Sequence, residues 1–371
     1  MYDRNLVLES VKELVGYSPD LGREVTGDLV AGDPLSQVDK KHPLITHTNN
    51  EAIKPRLESY PDFLQRVRQE SILEAVQDLF DYKSVNQSVK QLISDVKGIF
   101  GDKLTFDQAA FIGTGFVGHR IKALRNSSRA VIINRLGLNL LNPQDVTLYI
   151  FRGEDFTREN AFATIPVSYT GNGTYKWFDV DQRLTFVEDN EAYYFGFFEE
   201  DLGAEGNTYM TRPFDFAKSC GSCNVYDANR FRTWNPFIGI FPVTADPLTG
   251  EVTGTNKKTY GINLGFSIEC DVTAILLTQR RQIARLAIEK MVIRHLSELV
   301  NSVEIGKIPD RTRALAEMAI QGSFTPSGSY IKGTGLLEKY RSVIEKTSFE
   351  FSGIGNDCLK CDKSHGILRW T

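Results

Sequence analysis

Four of the five cysteines stand in two Cys-x-x-Cys turns, Cys220-Gly221-Ser222-Cys223 and Cys358-Leu359-Lys360-Cys361. One such turn places two thiolates on a tetrahedral ion, so two turns supply a complete four-cysteine zinc site. A structural site of this kind has no open position for a substrate, so zinc here would be a staple and not a catalyst. The same residues also admit two disulfides, redox pairs or unpaired thiols. A redox role needs the turn at the start of a helix in a βαβ unit. Cys220 and Cys223 instead come after a series of short strands. The working reading is a structural zinc ion held by Cys220, Cys223, Cys358 and Cys361. His365, four residues after Cys361, could replace a thiolate.

Other stretches have the residue types of an active site without its context. Gly113-Thr114-Gly115-Phe116-Val117-Gly118 is a literal G-x-G-x-x-G. A dinucleotide site needs a buried strand before it, a helix after it and an acid about 20 residues on. Residues 116–124 read as strand instead, and no Asp or Glu occurs between Asp107 and Asp145. These glycines read as a hinge. Glu199, Glu200 and Asp201 close an aromatic run and suggest a glycosidase pair. Adjacent residues of a strand face opposite ways, so Glu199 and Glu200 do not converge on one substrate. His119, Arg120, Lys122, Arg125 and Arg129 alternate as on a solvated strand face. Arg280, Arg281 and Arg285 could pair with acids of a neighbouring subunit. The chain has no G-x-S-x-G, H-E-x-x-H or P-loop pattern.

The elements that would position these residues are set by periodicity. Residues 3–15 carry a helical apolar stripe. Residues 16–59 are rich in Pro and Gly and read as a long extended arm, too long for an ordinary loop. Helices are expected at 60–83, opened by Ser59 and Pro61, and at 85–99, together a hairpin. From 109 the period changes to that of strands: 116–124, 129–140, 145–151, 161–169, 174–180, 183–187, 191–199 and 260–273, separated by turn residues. Residues 201–258 read as a loop-rich insertion. Helices return at 274–302, 309–320 and 335–347.

The expected fold is α+β: an antiparallel, jelly-roll-like β-sandwich inserted between helical segments, with a long N-terminal arm. Its divisions are 1–59, helix and arm; 60–108, helical hairpin; 109–273, sandwich; and 274–371, C-terminal helices and cysteine tail.

With 41% hydrophobic and 24% charged residues, the 371-residue chain has the composition of a globular protein with a sizeable core. A net charge of −4 gives no electrostatic case for nucleic acid or a membrane surface. No apolar run is long enough to span a bilayer, and the first residues do not read as a signal peptide. Cysteines gathered in Cys-x-x-Cys pairs suit a reducing compartment.

Several stretches in order resemble a known group. They are Lys41-His-Pro-Leu-Ile-Thr before Glu51-Ala-Ile, Tyr60-Pro-Asp-Phe-Leu with Arg68-Gln-Glu-Ser-Ile, and Val167-Ser-Tyr-Thr-Gly-Asn-Gly-Thr-Tyr-Lys-Trp-Phe-Asp. Then come Tyr193-Tyr-Phe-Gly-Phe-Phe-Glu-Glu-Asp-Leu, Tyr260-Gly-Ile-Asn-Leu, and Phe349-Glu-Phe-Ser-Gly before the second cysteine turn. This order resembles virion-associated proteins of tailed phages and prophages of Bacteroidetes, including crAss-like phages. The resemblance implies a non-enzymatic structural subunit, a ring, adaptor or connector of the neck or tail. Its partners would be copies of itself and other virion proteins such as portal, neck or tail components. It would be assembled in the host cytoplasm, with both cysteine turns belonging to the pattern. The competing reading is a glycan-binding sandwich using aromatics such as Tyr175 and Trp177. A glycan hydrolase using Glu199 or Asp201 is the third.

Overall fold

Between Gln91 and Cys270 the apolar alternation resolves into strands that form two main antiparallel sheets. The computed structural model describes residues 2–82, 91–100, 108–109, 115–124, 129–188, 191–205, 208–211, 234–246, 249–253, 259–301, 308–322 and 334–347. The strands are β1 (Gln91–Val96), β2 (Gln108–Ala109), β3 (Phe116–Ala123), β4 (Arg129–Leu138), β5 (Gln144–Arg152) and β6 (Ala163–Tyr169). They continue as β7 (Lys176–Thr185), β8 (Ala192–Phe198), β9 (Met210–Thr211), β10 (Ile238–Ala245), β11 (Val252–Thr253) and β12 (Ile262–Cys270). One sheet has the order β1-β12-β4-β7, the other β11-β10-β3-β8-β5-β6, and β2 pairs with β9 alone.

The sheets form a β-sandwich because one apolar core takes residues from both. Ile133, Leu136, Leu264 and Phe266 of the first sheet and Val117, Ile121, Leu148 and Phe195 of the second belong to a single buried cluster. Inside it, His119 Nε2 lies 3.1 Å from the Ile262 carbonyl and ties β3 to β12 across the sheets. Only an Nε2–H can donate to that oxygen, which fixes the neutral tautomer. Asn263 receives the Ile99 N–H at 2.7 Å and donates to the Phe100 carbonyl at 2.9 Å, clamping the chain after β1.

The six-stranded sheet also carries an aromatic cluster on its other face. Phe116, Tyr149, Phe151, Phe156, Tyr194 and Phe198 pack there mostly edge to face. Room for these rings comes from a cross-strand glycine pair, Gly118 opposite Gly196. A Cβ on Gly196 would lie 2.0 Å from the Val117 oxygen and 2.8 Å from the Phe116 ring.

A second unit combines Tyr2–Ser88 with Ile275–Gly353, so the sandwich interrupts the helical part in sequence. The helices are α1 (Arg4–Lys12), α2 (His47–Ile53), α3 (Tyr60–Tyr82), α4 (Thr273–Thr278), α5 (Arg280–Asn301), α6 (Asp310–Gln321) and α7 (Leu336–Lys346). Of these, α4 leads out of β12 and spans the boundary between the units. Ser59 Oγ accepts the Asp62 N–H at 3.2 Å and opens α3. The partners α3 and α5 bury Phe63, Leu64, Val67, Ile283, Leu286 and Met291. Ion pairs rung the same seam: Lys290 to Asp78 at 2.7 Å, and Arg294 to Glu70 and Glu74.

The structure corrects four expectations. Residues 16–59 are not an extended arm. They coil through short 3₁₀ turns and α2, and bury Tyr17, Leu21, Val25, Leu29, Val38 and Ile45 within their own unit. Buried Arg68 holds this segment through Asp28, with Nη2 2.9 Å from Oδ2 and Nη1 donating to the Asp28 carbonyl. Residues 91–96 are a strand paired with β12, not part of a second helix. Residues 176–185 are one strand with an irregularity against β4, where a break was expected. Finally, β10 lies in the stretch read as loop.

Candidate functional site

The four cysteines of the expected zinc site, Cys220, Cys223, Cys358 and Cys361, lie outside the described residues, as does His365. Cys270, at the end of β12, is disulfide-bonded. A partner drawn from the other four cysteines of this chain would leave three thiols for an ion. Among the described residues no group of three or more His, Cys, Asp or Glu is placed to hold a metal.

From Phe116 to Gly118 the glycine motif is strand. Gly115 precedes β3, and Gly118 sits within it, where a Cβ would come 2.1 Å from the Phe195 oxygen. Gly113 and Thr114 lie outside the described residues. Gly118 therefore serves sheet packing, not a phosphate.

The acidic triplet is committed elsewhere. Glu199 receives the Tyr209 hydroxyl at 2.6 Å. Arg158 pairs with Asp201 at 2.8 Å and Glu200 at 2.5 Å while its guanidinium lies over the Phe198 ring. That arrangement pins the 158–160 turn onto the aromatic cluster. A glycosidase needs one carboxyl in an apolar pocket facing a second across the substrate. These three carboxyls are spent on a tyrosine and an arginine instead.

The basic run after the glycines divides by strand alternation. His119 is fully buried, and desolvation lowers its pKa to about 4. Arg129 is buried and donates from Nη1 to the Leu124 and Phe237 carbonyls, both at 2.8 Å. Arg120 and Lys122 face outward, and Arg125 lies outside the described residues. The aromatics expected to hold a glycan are also engaged. The Tyr175 hydroxyl reaches the Gly137 carbonyl at 3.4 Å and its ring packs against Phe100, while Arg135 covers Trp177.

One cleft lies outside the sequence expectations. It has a volume of about 760 Å³ and sits on the outer face of the six-stranded sheet, beside the aromatic cluster. Arg120, Lys122 and Arg152 line it together with Glu154, Glu188 and Glu191. Glu191 is fully occupied: Arg152 pairs with one oxygen, and the other accepts the Val187 N–H at 2.6 Å and the Glu188 N–H at 3.2 Å. Tyr194 donates to Glu154 at 2.9 Å, and burial lifts its pKa to about 12. The alternation of Arg120 and Lys122 is visible in the sequence. The register that sets them beside Tyr194 and Ala192 is not.

On the helical unit, Arg280, Arg281 and Arg285 of α5 are exposed, and no carboxylate of a described residue pairs with them. Two clefts flank Arg285. One is lined by Leu14, Leu35, Lys41, Arg281 and Ile288 among others, the second by Gln282, Ser342 and Lys346. No helix among the described residues is long and apolar enough to cross a membrane. The chain matches no protein-family model, no curated protein and no solved structure.

Proposed function

We propose that this chain is a non-enzymatic structural subunit of a phage virion, a ring, adaptor or connector of the neck or tail. It assembles with copies of itself and with neighbouring virion proteins. The ordered series of motifs that resembles virion-associated proteins supports this reading. So does the engagement of Glu199, Glu200 and Asp201 by a tyrosine and an arginine.

One observation carries the proposal. Arg281 and Arg285 stand one turn apart on α5, exposed and without a carboxylate partner among the described residues, and α5 has no acid in its first turn. Like charges at this spacing oppose each other, and cations at a helix start oppose its dipole. Glu13, Asp33 and Glu289 line the cleft beside them but form no ion pair with either arginine, and acids from another chain would supply one. Exposed Leu35 borders the same cleft, and Leu315 and Met318 on α6 add apolar surface to the unit. The 16–59 segment folds into its own unit and borders this cleft through Leu35, Ser36 and Lys41. The test is Arg281→Glu with Arg285→Glu in the purified chain. Loss of oligomer with an unchanged melting temperature supports the proposal, and an unchanged mass contradicts it.

A structural zinc ion on Cys220, Cys223, Cys358 and Cys361 belongs to the same proposal. Since Cys270 is disulfide-bonded and these are the chain's only other cysteines, an in-chain partner for it leaves three of these thiolates, and the four-thiolate site requires that disulfide to be open. Metal analysis with thiol counting separates the cases. About one zinc per chain with four metal-protected thiols supports the staple. Absence of zinc with a disulfide to Cys270 contradicts it.

A further inference from the structure

We infer that the cleft on the outer face of the six-stranded sheet is a saccharide-binding site. The inference is independent of the assembly proposed above, since the cleft lies wholly within the sandwich unit.

The cleft arises from side-chain sizes in register. Across the sheet, Phe241, Arg120, Tyr194 and Phe151 stand side by side on β10, β3, β8 and β5. In the next row Lys122 lies between Gly239 and Ala192. The small residues Ala192 and Gly153 leave the floor low. Gly239 leaves space that the Phe241 ring takes, since a Cβ there would lie 2.5 Å from that ring. Phe241 is 45% exposed, with the Arg120 guanidinium over one face at 5.5 Å. At about 760 Å³ the space falls within the ordinary range of small-molecule sites.

The charges select among ligands. Three cations, Arg120, Lys122 and Arg152, face three carboxylates, Glu154, Glu188 and Glu191, so the formal sum is zero. A nucleic acid or polyphosphate would meet those carboxylates as repulsion. A sugar hydroxyl donates and accepts at once, so it uses both signs. The wall presents both in fixed places: Tyr194 is held on Glu154, and Arg152 is held on Glu191. Phe241 stands next to Arg120 at the rim, outside the lining, where its exposed part adds apolar surface for the C–H side of a sugar.

The test uses the full-length chain on a printed array of neutral and acidic bacterial oligosaccharides. Titration calorimetry is then run on the best-bound oligosaccharide, with inorganic phosphate and a Glu-Lys dipeptide as competitors. Ala192→Trp fills the floor while keeping every charge. Lys122→Ala removes one charged hydrogen bond and is the second variant should the first not fold. Binding of at least one oligosaccharide, weakened about tenfold or more by either variant with the melting temperature kept, is expected. A silent array, equal binding by folded Ala192→Trp and Lys122→Ala, or displacement by phosphate or the dipeptide would overturn the inference.

Discussion

Acid should destabilise the two units through one buried histidine in each. His119 is fully buried in the sandwich, and desolvation lowers its pKa to about 4. His295 is fully buried on α5. Desolvation, with a smaller contribution from Arg294, lowers it to about 3. Its Nε2 lies 3.0 Å from the Tyr17 hydroxyl, which in turn reaches the Leu64 carbonyl at 3.3 Å, while Nδ1 has no partner. The tautomer with Nε2–H satisfies both donors and leaves only an acceptor unmet.

An unfolded histidine titrates near 6.5. Above that pH both states are neutral, and the full stability is present. As pH falls below 6.5 the unfolded chain takes up a proton that the folded chain refuses, so stability falls by about 1.4 kcal/mol per pH unit per histidine. The loss ends at the folded pKa and totals on the order of 3 kcal/mol for His119 and 5 kcal/mol for His295. His42 is shifted downward by desolvation and adds in the same direction to the helical unit. Asp155, held below its ordinary value by hydrogen bonds from Thr157, acts only at lower pH, where its contribution is lost as the carboxylate protonates.

Denaturant melts between about pH 6.5 and about pH 4.5 read this directly. Trp234, buried in the sandwich core, makes fluorescence report that unit, and ellipticity at the helical minimum reports α3 and α5. His119→Gln retains an amide donor for the Ile262 carbonyl and should flatten the fluorescence-detected slope alone. His295→Gln should flatten the helical slope alone. An unchanged fluorescence-detected slope in His119→Gln would refute the reasoning.

Two further perturbations test the packing. Gly196→Ala drives a methyl into the Val117 carbonyl, so urea melts of the sandwich should show a loss of about 3 kcal/mol or more. A loss under about 1 kcal/mol would mean that the β3–β8 pair can spread. Arg68→Ala removes the buried cation that holds Asp28. Because Asp28 is more than half exposed, the expected loss is about 1–2 kcal/mol, below that of a fully buried pair. Limited proteolysis should then cut within 16–59 faster than in the parent, and an unchanged cutting rate would show that apolar packing alone holds the segment.

Where the period was regular, the sequence was legible. The strands between 116 and 169, the strand at 192–198, and the helices α3, α5, α6 and α7 lie close to where alternation and the apolar stripe place them. Legibility failed where the geometry broke the period. In β1 the register shifts between Gln91 and Ile93 and again between Ile93 and Val96. Those shifts turn a strand's period into the spacing Leu92, Ile93, Val96, Ile99, which imitates a helix face. Pro242 hid β10, yet beyond the two residues paired with β11 that strand is an edge, where proline is tolerated. The 16–59 segment did carry a signal, since Tyr17, Leu21, Val25 and Leu29 recur every fourth residue and all are buried. Interspersed Pro and Gly make that recurrence a chain of short turns and not a helix. The cleft was illegible for a different reason: its floor and walls come from separate strand and turn segments joined only by register.

The claim that this chain is an assembling structural subunit is tested most directly by native mass spectrometry of the purified chain across a range of concentrations. The account expects a closed oligomer of three or more copies that dissociates when Arg281 and Arg285 are reversed in charge. A chain that remains a monomer at every concentration would contradict it.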